Sequence, residues 1–157
     1  MPSDSPPVHE LLQPIGFLLG EWKGDGQGLW AGGFSFGDSM RFSHDGRPVM
    51  TYAQQTVGPD GVPSHAELGF FVAQDNGEIH VTLAEPSGIT EVLVGKPNGT
   101  SLVLSAVEIG HTPTTDNVTA CGRHLRIEAE ALVVEIQVAV DDEPLAPHTR
   151  SVLHRLA

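Results

Sequence analysis

His124-Leu125-Arg126-Ile127-Glu128-Ala129-Glu130, followed at once by Leu132, Val134, Ile136, Val138 and Val140 at every second position, reads as two strands in succession. In the first, Leu125, Ile127 and Ala129 share one side, while His124, Arg126, Glu128 and Glu130 share the other. The second carries a single-sided apolar row. A period of two with one wet and one buried face marks antiparallel sheet. The alternation recurs upstream, where Ile79, Val81 and Leu83 interleave with Glu78, His80 and Thr82. Turn signals divide the chain at short intervals: His44-Asp45-Gly46, Pro59-Asp60-Gly61, Asp75-Asn76-Gly77 and Pro97-Asn98-Gly99. The spacing predicts about ten strands, with no βαβ alternation and no internal linker. The expectation is an all-β chain, an antiparallel up-and-down β-barrel occupying residues 1–157 as one domain. Closure removes the exposed edges that so many hairpins would leave. A barrel of that size encloses a cavity, but the fold does not say what fills it.

The two ends read differently. Ser5 can cap a helix and Pro6 suits a first helical position. Val8, Leu11, Leu12 and Ile15 then follow the helical period, and Pro14 and Gly16 limit the run to a turn or two. Such a helix could plug a barrel end. Near the other terminus, Pro144-Leu145-Ala146-Pro147 is a stiff extended approach. His148-Thr149-Arg150-Ser151-Val152-Leu153-His154-Arg155-Leu156 predicts a short C-terminal helix, with Val152 and Leu156 on one face.

Composition removes several function classes. The net charge is −12, from 8 basic and 20 acidic side chains, which argues against nucleic acid and anionic membrane as partners. The lone Cys121 permits no internal disulfide, no Cys₄ zinc site and no Cys-ligated iron–sulfur cluster, and reads as a small strand residue. No apolar run approaches the ~20 residues that span a bilayer. The first residues, Met-Pro-Ser-Asp-Ser-Pro-Pro, lack the basic and apolar regions of a secretory signal, so the expected location is the cytoplasm.

Gly20-Glu21-Trp22-Lys23-Gly24-Asp25-Gly26-Gln27-Gly28 is neither a Walker A loop nor a dinucleotide fingerprint. Its alternate glycines leave one strand face almost bare. Two readings stay open: a bent strand with Trp22 plugging the barrel end, or a flat wall for a planar ligand. Of the eight histidines, His9, His44, His80, His111 and His124 read as surface residues. His148 and His154 lie six apart, so one helical face cannot bring both to one metal. His148 follows Pro147, which stiffens its approach. It is either an exposed histidine or an imidazole placed for axial ligation. Ser64 and His65 are expected on opposite strand faces, and Glu67 and Glu85 as single carboxylates without partners. No hydrolytic triad emerges.

Taken in order, these stretches resemble the nitrobindins, and the mycobacterial members in particular. The Gly20-x-Trp22-x-Gly24-x-Gly26 run matches a family signature. Arg41 to Pro48, Thr51 to Thr56, His65 to Phe70, Pro86 to Val92 and Pro144 to His148 are also similar, so the resemblance covers nearly the whole chain. It implies a fatty-acid-binding-protein type of barrel with a solvent-exposed ferric haem b at its mouth and His148 as the axial iron ligand. It further implies nitric oxide binding and the isomerisation of peroxynitrite to nitrate. Small reactive nitrogen species would then be the partners, and catalysis would need no residue beyond the haem iron. Trp30, Gly32, His65 and Glu85 fall at cofactor-facing positions by this resemblance. Two positions depart from the family pattern. Gly32 stands where a haem-contacting threonine is usual, and Asp116 where a lysine often lies near the haem. Two alternatives remain: a non-enzymatic carrier of a fatty acid or other apolar ligand, and a haem-based nitric oxide sensor or carrier. The residues leave the oligomeric state open, a homodimer included.

Overall fold

Each strand of this chain pairs antiparallel with the next, and the last pairs with the first. The structure is a computed structural model describing residues 4–30 and 32–157; the first three residues, quoted above, and Ala31 lie outside the described residues. Among the described residues the strands are β1 (Gly20–Gly28), β2 (Ser35–His44), β3 (Val49–Val57), β4 (Pro63–Ala73) and β5 (Ile79–Ala84). They continue as β6 (Ile89–Asn98), β7 (Ser101–His111), β8 (Val118–Glu128), β9 (Ala131–Val140) and β10 (Ala146–Arg155). They form a closed ten-stranded barrel in up-and-down order. The turns sit where the glycine signals place them, with Gly46, Gly61, Gly77 and Gly99 all at positive φ. The turn between β8 and β9 carries no such signal. It is made by Ala129 and Glu130, both non-glycine residues at positive φ.

The expected C-terminal helix is a strand. Closure requires a partner for both β1 and β9, and β10 supplies it from Trp22↔Arg155 to Gly28↔Thr149 and from Ala146↔Val138 to Leu153↔Leu132. Ser151 and Leu153 are buried in alternation with Val152 and His154, so the period is two. The β-branched Thr149 and Val152 suit that conformation.

The N-terminal helix exists, but it starts later and winds more tightly than expected. It is a 3₁₀ helix, Glu10–Leu18, capped by the side chain of His9 rather than by Ser5. Three residues per turn puts Leu12, Ile15 and Leu18 on one face, and all three are fully buried. They pack with Trp22, Met40, Phe42, Met50, Tyr52 and Phe71 into a core that fills this half of the barrel. Each such side chain contributes roughly 1.5–3 kcal/mol, an upper estimate. The Trp22 indole donates to the Leu18 carbonyl at 2.8 Å, and Arg155 lies over its ring. Trp22 therefore plugs the helix end of the barrel. No helix of the described residues is long and apolar enough to cross a membrane.

Candidate functional site

The opposite half of the barrel is hollow. A cavity of about 440 Å³ opens there, lined by Trp30, Phe34 and Phe36 on one side and by Val118, Ile136, Val138 and Val140 among others. His65, Glu85, Asp116 and His148 also line it. Four of the residues singled out from the sequence, Trp30, His65, Glu85 and His148, thus meet around one space. Gly32 does not line it and stands in an exposed loop. The glycine face of β1 is not a wall of the cavity either. Side chains from neighbouring segments already cover it: a Cβ on Gly26 would meet the Phe36 ring, and one on Gly28 the Phe34 ring.

Two irregularities in the ladders aim the histidines. Between Pro147↔Gln137 and Thr149↔Ile136 the register of β10 shifts, and His148 is the extra residue. A bulge re-aims a side chain. Here it puts His148 on the cavity side together with Thr149, where strict alternation would admit one of them. Pro147, which has no N–H to give a ladder, belongs beside such a bulge. His148 keeps its backbone anchored by accepting from Leu29 N–H at 2.8 Å. Its ring stacks on Trp30, centroids 4.3 Å apart and planes at 18°. Burial lowers the His148 pKa, and the charge of His65 adds to this. The imidazole is therefore held in its neutral form at neutral pH.

A similar shift between Gln55↔Ala66 and Val57↔Pro63 sets Ser64 and His65 together opposite Thr56. Both face the cavity, contrary to the expectation of opposite sides. The Thr56 and Ser64 hydroxyls are 2.7 Å apart, and Thr56 Oγ1 accepts from His65 N–H at 3.0 Å.

The cavity floor is ionic. Arg123 donates from Nη1 to Glu67 Oε1 at 2.7 Å, and from Nη2 to Glu67 Oε2 at 2.8 Å and Glu91 Oε2 at 2.6 Å. Its Nη2 also lies 3.7 Å from Glu85 Oε1. Tyr52 donates to Glu67 Oε1 at 2.8 Å, and His65 Nε2 is 3.4 Å from Glu67 Oε2. Glu67 thus has several partners where none was expected. Burial pushes its carboxyl up, but the charge and hydrogen bonds of Arg123, helped by His65, leave it well below the usual carboxylate range. Glu85 goes the other way. Burial, the hydrogen bond with Glu91 and the charges of Glu67 and Glu91 outweigh Arg123 and push it up to about 9. Beside this cluster, Asp38 accepts from Ser151 at 2.6 Å and from Gln54 at 3.0 and 3.2 Å. Burial raises its pKa against those bonds. Cys121 is a buried strand residue on the cavity wall, its thiol pushed well up by burial.

The sequence reading passes over Arg123, Glu91 and Asp38, although parity marks all three, Asp38 sharing the inward side of β2 with Phe36 and Met40. Arg123 shares the inward side with Leu125, and Glu91 with Leu93, both buried. A charged residue in the apolar register of a strand signals a buried polar site.

A family model described as THAP4-like, heme-binding β-barrel domain matches residues 11–155. The chain belongs to this family, the nitrobindins. Among similar nitrobindins, Peroxynitrite isomerase 2 of Mycobacterium avium is 40% identical, with 99% of each chain covered. Peroxynitrite isomerase Rv2717c of Arabidopsis thaliana is 33% identical, over 99% of this chain and 95% of that protein. The crystal structure of Rv2717c from M. tuberculosis superposes with a TM-score of 0.87 at 35% identity, covering 96% of this chain and all of that one. This agreement extends the nitrobindin likeness to the whole ten-stranded barrel.

Proposed function

We propose that this chain binds one ferric haem b at the open barrel mouth through His148 and isomerises peroxynitrite to nitrate. The observation that carries the reading is the bulged His148, a neutral imidazole delivered to the rim of an aromatic-walled cavity. A metal ligand must be deprotonated, and burial of His148 supplies that condition. Trp30 stacked on its ring restricts the imidazole plane, which orients the free nitrogen. Trp30, Phe34, Phe36, Val138 and Val140 would supply apolar surface for the macrocycle. These donors and apolar surfaces fit the group. When bound, haem would supply a Lewis-acidic iron for the isomerisation of peroxynitrite to nitrate. His148 holds the cofactor, and the apolar rim limits water around it. Asp116 on the cavity wall offers a negative charge where a propionate would prefer a cation, so the family's lysine is not replaced in function.

The charged floor disfavours an apolar-ligand carrier, because a hydrocarbon tail would lie against Arg123, Glu67 and Glu91. The single cysteine suits a reducing compartment, which supports the cytoplasm as the place of work.

The test is a titration of the haem-free chain with ferric haem, read at the Soret band, with His148→Ala alongside. One haem per chain is expected, with a sharp histidine-ligated band that the variant loses. The loaded chain should then convert peroxynitrite to nitrate faster than free haem does. Equal binding and an unchanged spectrum in the alanine variant would rule His148 out as the ligand.

A further inference from the structure

The ionic floor holds more carboxylates than cations, and it leaves buried polar atoms unpaired on both sides, Glu91 Oε1 and Arg123 Nε. Glu67, Glu85 and Glu91 surround one guanidinium, that of Arg123. With all three carboxylates ionised the group carries two surplus negative charges. The neutral side-chain donors beside it are committed: Tyr52 to Glu67, and Gln54 and Ser151 to Asp38. Glu91 is 3% exposed, and with Glu85 ionised its Oε1 has no hydrogen-bond partner among the described residues and lies out of reach of water. A buried, unpaired carboxylate oxygen is costly, so either a proton or a metal ion must complete this balance.

The atoms that could receive such a group are already gathered. His65, Glu67 and Glu85 each present a ligand atom, and these atoms all lie within 4.8 Å of one another. A single ion at about 2.0–2.2 Å from each nitrogen and oxygen needs them no more than ~4.4 Å apart, which small side-chain turns bring within reach. The carboxylate in the middle is braced as metal-ligating carboxylates are, by outer hydrogen bonds: Arg123 and Tyr52 hold Glu67 in a fixed orientation. Glu91, fixed beside them by Arg123 Nη2, has its spare oxygen free to serve as a further acceptor.

We propose that His65, Glu67 and Glu85 form a binding site for a divalent transition-metal ion at the floor of the cavity, separate from His148. One imidazole and two carboxylates make a borderline N/O donor set of the kind that zinc or manganese accepts. Binding releases any proton that the carboxylates hold, and the two positive charges of such an ion cancel the two surplus negative charges of the ionised cluster. The site also has a consequence for the cavity: an ion-free floor repels small anions, and an ion-filled floor does not.

The probe is zinc alone, titrated into the haem-free full-length chain by calorimetry, with the bound ion counted after dialysis. One zinc per chain is expected, with a rise in the melting temperature because the ion binds only the folded chain. Glu85→Gln and His65→Ala should each weaken binding about 10- to 100-fold. Both leave the Arg123–Glu67 pair intact, so the barrel stays folded. His148→Ala should bind zinc as the parent does, which separates this site from the haem reading. Absence of stoichiometric zinc would overturn the proposal, leaving protons to balance the cluster. So would binding lost in His148→Ala but kept in Glu85→Gln, or binding indifferent to all three changes, as for adventitious ions on surface histidines.

Discussion

Arg123 and Glu67 meet fork to fork inside the barrel, with Nη1 to Oε1 at 2.7 Å and Nη2 to Oε2 at 2.8 Å. They sit on strands that do not neighbour one another, so the pair spans the barrel interior. It stands at the boundary between the packed half under the 3₁₀ helix and the hollow half.

Removal of one partner leaves a buried charge exposed to nothing. Arg123→Met should cost about 3–5 kcal/mol, because Glu67 and Glu91 lose their counter-charge together. Exchange of all three for apolar residues of similar volume should recover most of that loss. Urea unfolding of the parent, Arg123→Met and the triple variant checks both statements. A loss below about 1 kcal/mol in Arg123→Met would mean that water or another cation neutralises the carboxylates.

The two shifted carboxyls make opposite contributions to the pH dependence of stability. Glu67 is depressed from its ordinary 4.5, so its contribution is present above that value and lost as pH falls through the folded pKa. Glu85 is raised from 4.5 to about 9, so its contribution is full below 4.5 and lost as pH climbs toward 9. Glu85→Gln cannot ionise and escapes that loss. In a chelating buffer its melting temperature should match the parent near pH 4.5 and exceed it by a few degrees near pH 9. A constant difference across the window would show that Glu85 titrates normally.

Much of this was legible in the residues, and the failures have physical causes. The alternation at Ile79–Leu83 and Leu132–Val140 gave the barrel, since a period of two with one buried face has few other solutions. The segment from His148 to Leu156 deceived because its local pattern is ambiguous, and only closure against β1 and β9 decides it. Strict alternation puts Ser64 and His65 on opposite faces, because a bulge is a property of the ladder that a single strand does not display. His148 was found by family likeness. The Arg123 cluster was readable from parity, but a hydrophobic pattern search passes over charged residues in the inward register.

Trp30 does more than line the cavity, since it covers one face of His148. Trp30→Ala should re-expose the imidazole and return its pKa toward the ordinary 6.5. The proton then competes for the ring at higher pH, so acid release of haem should begin at higher pH in the variant. The His148 ring resonances in the haem-free chain report the pKa directly, and a pH titration of the Soret band reports the release. An unchanged His148 pKa would assign its depression to the barrel wall rather than to Trp30.

Gly24 and Gly26 share the inward face of β1, yet their substitution should not have equal consequences. A Cβ on Gly24 would stand 2.0 Å from the Val152 carbonyl oxygen, which is backbone of β10. That contact cannot be relieved by a rotamer change, so alanine there must push apart the seam that closes the barrel. A Cβ on Gly26 would stand 2.2 and 2.3 Å from atoms of the Phe36 ring and 2.7 Å from Ser151 Oγ. Both obstacles are side chains that can turn, although Phe36 can move only by disturbing the cavity it lines. Gly26→Ala should therefore cost about 1–3 kcal/mol, as overpacking does, and weaken haem binding. Gly24→Ala should cost more and loosen β10, with faster amide exchange from Thr149 to Leu153. Urea unfolding and hydrogen exchange on both variants decide the matter. Equal, small losses in the two would mean that β1 and β10 slide freely and that the glycine run is not what holds them at this distance.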